Sequence, residues 1–108
     1  MNKDFIVTTG ENVPGKKIVQ VLGIARGNTV RARNVGRDFA AGLKNLIGGE
    51  IKTYTSMATQ SRDEAYNRMV NEAIKMDADG IICMRFMTST IMQGASEMLA
   101  FGTAVKFN

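Results

Sequence analysis

The last third of the chain limits the fold more than any other feature, because it contains two long β-type runs around one short turn. This stretch, DGIICMRFMTSTIMQGASEMLAFGTAVKF, spans residues 79–107. Glycine at the first position of a two-residue turn favours a type II′ turn between antiparallel strands. We therefore predict a β-hairpin with Gly94 and Ala95 in the turn and Gln93 opposite Ser96.

This register divides the hairpin into two unlike faces, because directly opposed residues point to the same side of a sheet. The bulky, apolar face contains Ile82, Met84, Phe86, Thr88, Thr90, Leu99, Phe101, Thr103, Val105 and Phe107. The mixed face is rich in small side chains and contains Cys83, Arg85, Met87, Ile91, Met98, Ala100, Gly102 and Ala104. We predict that the helices cover the bulky face and that another copy of the chain covers the small-residue face; the alternative is that the small-residue face is exposed to solvent.

The first third of the chain predicts two more strands. Residues 4–10, DFIVTTG, form a short strand, and Pro14-Gly15 marks the turn after it. Residues 17–32 are rich in β-branched side chains and predict a long second strand, bent or bulged at Gly23 or Gly27. One side of this strand is predicted to carry Ile18, Leu22 and Ile24, and the other Val19, Val21, Gly23, Ala25 and Gly27.

Two amphipathic helices are predicted in the middle of the chain. The first lies in residues 37–50, RDFAAGLKNLIGGE, and stops at Gly48-Gly49, because glycine adopts the left-handed conformation that closes helices. Its apolar face contains Phe39, Leu43, Leu46 and Ile47.

The second helix begins between Thr55 and Ser61 and ends near Asp77. Residues 61–64, Ser-Arg-Asp-Glu, fit a capping box, with Thr55 or Ser56 as the alternative cap. Its apolar stripe, at the spacing of an amphipathic helix, is Ala65, Tyr66, Met69, Val70, Ala73 and Ile74. The element order is therefore ββααββ. This order predicts an α+β domain whose antiparallel or mixed sheet is covered on one face by two helices.

Size and composition exclude several classes of protein. A chain of 108 residues forms one domain, residues 1–108. It has no apolar run long enough to span a membrane, and its N-terminus lacks the apolar core of a signal peptide. A single cysteine fits a reducing compartment, so we expect a cytoplasmic protein. No aromatic residues lie among the arginines of the basic stretch, so no nucleic-acid partner is expected.

The sulfur-rich segment CMRFM, residues 83–87, raises the question of a soft-metal site. Thiolate and thioether sulfur suit copper(I). However, Cys83 and Met87 are about 13 Å apart along one strand, and Met84 points to the other side. The chain contains no histidine. We therefore interpret Cys83 as a small structural side chain and the methionines as adaptable core residues, and we expect no metal cofactor.

The basic stretch ARGNTVRARNVGR indicates a second kind of site. It contains Arg26, Arg31, Arg33 and Arg37, where the second strand leads into the first helix. Arginine binds phosphate and carboxylate groups in a two-pronged geometry, and free amides at a helix start add attraction for an anion. These arginines are candidate ligands for a small anion; the alternative is an exposed edge or ion pairs with Asp38 and Glu50.

No catalytic constellation is evident. Without histidine, a general base would have to be a carboxylate, and the acidic residues are scattered along the chain. We therefore expect no enzymatic activity.

The segments VTTGENVPGKKIVQVLGIARGNTVRARNVGRDFAAGLKNLIGGEIKTYT, AxxMDADGIICMRF and FGTAVKF together resemble the YbjQ-like family of small bacterial proteins. Members of this family are often labelled "putative heavy-metal-binding". The resemblance covers nearly the whole chain. It implies a dodecin-like α+β subunit assembled into a ring, in particular a pentamer.

Three classes of function follow from these features. The first is a non-enzymatic homo-oligomer whose partner is itself and which binds a small anion at subunit junctions. The second is a heavy-metal-binding or metal-response protein, as the family label suggests. The third is an enzyme that uses carboxylates at a subunit interface, which would need a carboxylate in a cleft.

Overall fold

The structure, a computed structural model, describes the backbone of residues 4–31 and 49–108 and the side chains of residues 4–31 and 56–108. Nearly all of the first predicted helix, residues 37–50, lies outside these residues. The described elements are strands β1 (Ile6–Val7), β2 (Ile18–Arg31), β3 (Gly80–Met92) and β4 (Ala95–Phe107), with helix α1 (Gly49–Lys75). The four strands form one sheet in the order β1-β3-β4-β2.

The sheet is mixed. Strand β1 runs parallel to β3, whereas β3 and β2 both run antiparallel to the central strand β4. Helix α1 packs on one face, which we call the covered face. The predicted α+β class and the mixed sheet are therefore confirmed.

The connection from β1 to β2 turns at Pro14-Gly15, as the sequence predicts. The Lys16 amide donates a hydrogen bond to the Val13 carbonyl, 3.0 Å away, and Gly15 has a φ of 80°. Proline at the second position and a left-handed glycine at the third define a type II turn.

Strand β2 contains the bulge that the sequence places at Gly23 or Gly27. The register against β4 shifts between Val21 and Gly23, and Gly23 has a φ of 136°. The extra residue turns Leu22 toward the core, whereas Ile24 is 66% exposed. The prediction that Leu22 and Ile24 share one side is therefore wrong.

The hairpin register differs from the predicted one at the turn and at two shifts within β3. Met92 pairs with Ala95, so Gln93-Gly94 forms the turn instead of Gly94-Ala95. One shift lies between Thr90 and Met92, and a second lies between Ile82 and Arg85, where Cys83 has a φ of 55°. Local bulges of this kind leave little trace in the alternation of residue types.

These shifts change which side chains share a face, because a shift of one residue reverses every side chain of a strand. Phe86 pairs with Ala100 instead of Thr103, and Met87 pairs with Leu99. The predicted bulky face is therefore confirmed for its β4 residues, Leu99, Phe101, Thr103 and Val105, and wrong in β3: Phe86 lies on the side of the small residues, and Met87 lies on the opposite side.

Helix α1 packs on the small-residue face, which corrects the prediction that another copy covers it. Ala65, Met69 and Ala73 of α1 are fully buried, as are Ala100 and Ala104 of β4. Small side chains on a sheet allow any backbone to approach closely, including that of the chain's own helix. Burying a side chain such as Met69 contributes about 1.5–3 kcal/mol.

The start of α1 lies earlier than predicted. The helix begins at Gly49, so Thr55 and Ser56 are helical residues and neither caps the helix. Ser61 lies in the middle of α1 and is buried, and its carbonyl accepts a hydrogen bond from Thr29 Oγ1 at 3.2 Å. The capping-box interpretation is therefore wrong, because this serine is part of the contact between the helix and β2.

The end of α1 is a left-handed cap. The Ala78 amide bonds to the Ala73 carbonyl at 3.1 Å, and the Asp77 amide bonds to the Ile74 carbonyl at 2.9 Å. Asp77 has a φ of 67°. This pair of bonds is a Schellman motif with aspartate in the position that glycine usually takes.

Candidate functional site

A groove lies where the end of β2, the N-terminal half of α1 and the tip of the hairpin approach one another. Its volume is about 300 Å³. Met57, Ala58 and Met98 supply the apolar part of its wall. The other lining residues are Thr29, Arg31, Ser61, Thr88, Gly94, Ser96 and Glu97.

Charged side chains connect α1 to β2 and β4 beside this groove. Glu64 Oε2 lies 3.5 Å from Arg31 Nη2, and Glu64 Oε1 lies 3.6 Å from Arg68 Nη2. Arg68 also donates to the Asn28 carbonyl, and Asn28 Nδ2 donates to Glu97 Oε2 at 2.9 Å. These ion pairs are partly exposed, so they orient the side chains and add little stability.

Of the four arginines predicted to bind an anion, the structure describes Arg26 and Arg31 and places them on opposite faces of the sheet. Arg31 lines the groove on the covered face. Arg26 pairs with Phe101. It points to the opposite face, because the two arginines are an odd number of positions apart along one strand. Arg33 and Arg37 lie outside the described residues.

The sulfur atoms of the CMRFM segment are distributed over different environments. Met84 is buried in the core beneath α1, Cys83 is half-buried, and Met87 is 56% exposed. Across residues 4–31 and 56–108, no three His, Cys, Asp or Glu side chains are close enough to hold a metal ion.

Cys83 occupies a strained position that the sequence does not reveal. Its left-handed backbone lets its amide donate to the Gly10 carbonyl at 2.9 Å, while the Met84 amide donates to Thr8 at 3.0 Å. Both bonds attach the segment after β1 to β3. Cys83 therefore contributes to this contact through its backbone amide.

The sheet face opposite α1 exposes several large apolar side chains. The sequence correctly groups Leu99 and Phe101 on this face but predicts that helices cover it. We call this the open face. Its apolar members are Val21, Ile24, Val30, Met87, Leu99 and Phe101, and the polar side chains of Arg26, Asn28 and Glu97 lie among them. Val21, Ile24, Val30 and Met87 are 63%, 66%, 49% and 56% exposed, respectively. Ile82 and Val105 bound it at one end and are buried. The available signal was the presence of β-branched residues at successive positions of β2, which a strand with one solvated face would not have.

Within residues 4–31 and 49–108, the fold is α+β, with helix α1 packed on a four-stranded mixed sheet whose other face exposes apolar side chains. Among residues 4–31 and 49–108, no helix has the length and apolar character needed to cross a membrane.

Comparison with known proteins places the chain in a family. The YbjQ family model, described as "Putative heavy-metal-binding", matches residues 5–108. A UPF0145 protein of Archaeoglobus fulgidus is 53% identical over 106 residues, covering 98% of each chain. A UPF0145 protein of Methanoculleus marisnigri is 56% identical over 102 residues, covering 94% of this chain and 95% of its own. The chain belongs to this YbjQ (UPF0145) family.

A solved structure has the same fold. It is the crystal structure of a protein of unknown function of the DUF74 family from Pediococcus pentosaceus, with a TM-score of 0.64. The match covers 96% of this chain and 98% of that chain, at 18% identity. At this level of identity the similarity concerns the fold alone.

Proposed function

We propose that the protein is a non-enzymatic, self-assembling domain whose open face packs against a second copy of the chain. The observation that carries this proposal is the exposure of four large apolar side chains on one face of the sheet: Val21, Ile24, Val30 and Met87. Monomeric proteins rarely expose contiguous apolar areas of more than a few hundred Å², and larger areas mark interaction sites.

A second copy is the partner that fits, because each copy also offers a different apolar surface. The half of β3 that is nearer the turn carries Phe86, Ile91 and Met92, which are 44%, 55% and 65% exposed. An open face on one copy and this half of β3 on the next form a contact between unlike surfaces. Such a contact repeats from copy to copy and closes into a ring when the rotation allows.

The proposal therefore favours a ring of dodecin-like ββααββ subunits, each a single domain of residues 1–108. The family resemblance implies five subunits. The single cysteine is consistent with a reducing compartment, and we place the protein in the cytoplasm as part of the same proposal.

The proposed ligand is a small anion that binds in the groove beside Arg31. A volume of about 300 Å³ is at the lower end of the range for small-molecule sites. The Arg31–Glu64 pair is separated by 3.5 Å and is partly exposed, so an anion can replace Glu64 at little cost. The metal-binding alternative has no cluster of ligating side chains in its favour among the residues with described side chains.

Native mass spectrometry and light scattering at micromolar concentration test the assembly. The expected mass is several times 11.8 kDa. Ile24→Lys places a charge on the open face and should lower the mass toward that of one chain. Asn67→Lys is the matched control, because it adds the same charge on an exposed part of α1 and should leave the mass unchanged. A wild-type monomer would exclude the proposal.

A further inference from the structure

The groove beside Arg31 has an apolar wall to which both the helix and strand β4 contribute. Met57 and Ala58 belong to α1, and Met98 belongs to β4. Met57 and Met98 are half-buried. The Thr88 hydroxyl donates a hydrogen bond to Met98 Sδ, 3.3 Å away, which restrains this flexible thioether along the wall. The groove therefore presents an apolar surface that is already in place before a ligand binds.

The most deeply buried polar group of the groove already has a partner. Thr29 and Ser61 both line the groove and are only 2% and 6% exposed. Thr29 Oγ1 donates to the Ser61 carbonyl at 3.2 Å, so its proton is not free for a ligand. Among the residues with described side chains, no buried nitrogen or oxygen lacks a hydrogen-bond partner. Because a buried polar group without a partner costs free energy, this part of the groove favours an apolar ligand group.

A carboxylate already lies at the cationic end of the groove. Glu64 Oε2 is 3.5 Å from Arg31 Nη2, and Glu64 Oε1 is 3.6 Å from Arg68 Nη2. When a ligand carboxylate takes the place of Glu64 beside Arg31, Glu64 keeps Arg68 as its partner, so neither carboxylate is left unpaired. Glu97 also lines the groove, but its carboxylate lies on the opposite face of the sheet and accepts a hydrogen bond from Asn28 Nδ2 at 2.9 Å.

We infer that the ligand of this groove is an organic monocarboxylate with a short apolar chain. Its carboxylate replaces that of Glu64 at Arg31, and its chain lies along Met57, Ala58 and Met98. The groove volume of about 300 Å³ equals that of about ten water molecules, so an inorganic anion alone would fill only part of it. The inference rests on the proposed anion site and specifies the chemical class of its ligand.

Calorimetric titration of purified wild-type protein with acetate, butyrate and hexanoate tests this class of ligand. The titrations are made at neutral pH and constant ionic strength, so that every ligand carries the same charge. We expect the affinity to rise about threefold to fourfold for each methylene group that enters the groove. 1-Hexanol has the chain without the charge, and it should bind at least about tenfold more weakly than hexanoate, because it lacks the charged hydrogen bond to Arg31.

A variant of the apolar wall locates the chain of the ligand. Ala58→Glu places a negative charge on the wall and should abolish hexanoate binding. Ala58 is exposed, so this variant should fold and assemble as the wild type does, which circular dichroism and light scattering check. Gln60→Glu is the matched control, because it adds the same charge at an exposed position of α1 outside the groove. It should bind hexanoate as the wild type does.

Three results would overturn the inference, and they differ in what remains of the proposed anion site. If acetate and hexanoate bind equally well and Arg31→Ala removes both, the groove is an anion site without an apolar part. If Ala58→Glu binds hexanoate as tightly as the wild type, the chain of the ligand lies elsewhere on the protein. If neither these carboxylates nor sulfate bind, the inference and the proposed anion site fail together.

Discussion

Gly27 of β2 lies directly beneath Met69 of α1, so close that a Cβ atom at Gly27 would overlap the backbone nitrogen of Met69. The same Cβ atom would lie 2.5 Å from the Ala65 carbonyl oxygen. The helix backbone therefore rests on the strand backbone. Glycine is needed here for space, since Gly27 has an ordinary negative φ.

We predict that Gly27→Ala destabilises the protein by about 3 kcal/mol or more, because neither backbone can move aside without breaking its own hydrogen bonds. Urea denaturation measures this change. Gly10→Ala is the matched control, because its Cβ would meet Thr8 Oγ1 at an ordinary 3.6 Å. The control should change the unfolding free energy by no more than about 0.5 kcal/mol. Equal stability of the two variants would contradict the close packing of α1 on β2.

The strands and the existence of the long helix could be predicted from sequence because each has a strong local pattern. The Pro14-Gly15 turn, the bulge at Gly23 and the apolar stripe of α1 through Met69 and Ala73 all follow from residue type and spacing. These features depend on neighbours in the chain, which a single sequence displays.

The β3 residues that share a face with the small residues of β4 could not be predicted, because the hairpin register depends on two shifts, one of which makes a non-local contact. The bulge near Cys83 lets its amide and that of Met84 bond to Gly10 and Thr8, which are far away in sequence. A further shift, between Thr90 and Met92, reverses the faces of Phe86 and Met87 relative to the predicted register. A face of small residues also has two physical interpretations: either the chain's own helix or a second copy of the chain packs closely on it. The sequence does not distinguish them.

The candidate site, too, could be predicted only in part from the sequence. The sequence singled out Arg31, which lines the groove, because a basic stretch is visible in one dimension. Pairing Arg31 with Arg26 as one site required the assumption that both lie on one side, and strand alternation places them on opposite faces. Met57 and Met98, which form the groove's apolar wall, are distant in sequence and gave no signal.

The cap of α1 predicts a stabilising substitution at Asp77. This residue is left-handed, with a φ of 67°, and glycine adopts that conformation without strain. We expect Asp77→Gly to raise the unfolding free energy by about 0.5–1 kcal/mol and Asp77→Ala to lower it, as measured by thermal and urea unfolding.

A control separates the backbone effect from the loss of charge. Lys106 Nζ lies 3.2 Å from Asp77 Oδ2, but the Asp77 side chain is 94% exposed, so this ion pair adds little. Asp77→Asn removes the charge and tolerates the same conformation, and it should change stability by less than about 0.5 kcal/mol. A loss of stability in Asp77→Asn as large as that in Asp77→Ala would indicate that the ion pair matters more than the cap.

Cys83 makes a prediction about both stability and metal binding. Its φ of 55° is unfavourable for a β-branched side chain, so Cys83→Val should cost about 2 kcal/mol, whereas Cys83→Gly should be close to neutral. Neither variant should change copper or zinc content, measured by elemental analysis after equilibration with the metal. Stoichiometric metal in the wild type that disappears in the stable Cys83→Gly variant would instead make this thiol a ligand.

The last prediction concerns Arg31 and the groove beside it. If the groove binds an anion, sulfate or phosphate should raise the melting temperature more than chloride at matched ionic strength. Arg31→Ala should abolish this difference, because Arg31 is the cationic side chain among the described residues that line the groove. Matched ionic strength is essential, since screening alone changes the strength of surface ion pairs such as Arg31–Glu64.

Arg26→Ala is the matched control for the same measurement. It removes an equal charge from the same strand, but Arg26 points to the opposite face of the sheet. The wild type and Arg26→Ala should therefore respond to sulfate alike, and Arg31→Ala should melt at the same temperature in sulfate and chloride. A response that both variants lose equally would reflect the net positive charge of the chain instead of a site, because a general charge effect does not depend on which face holds the arginine.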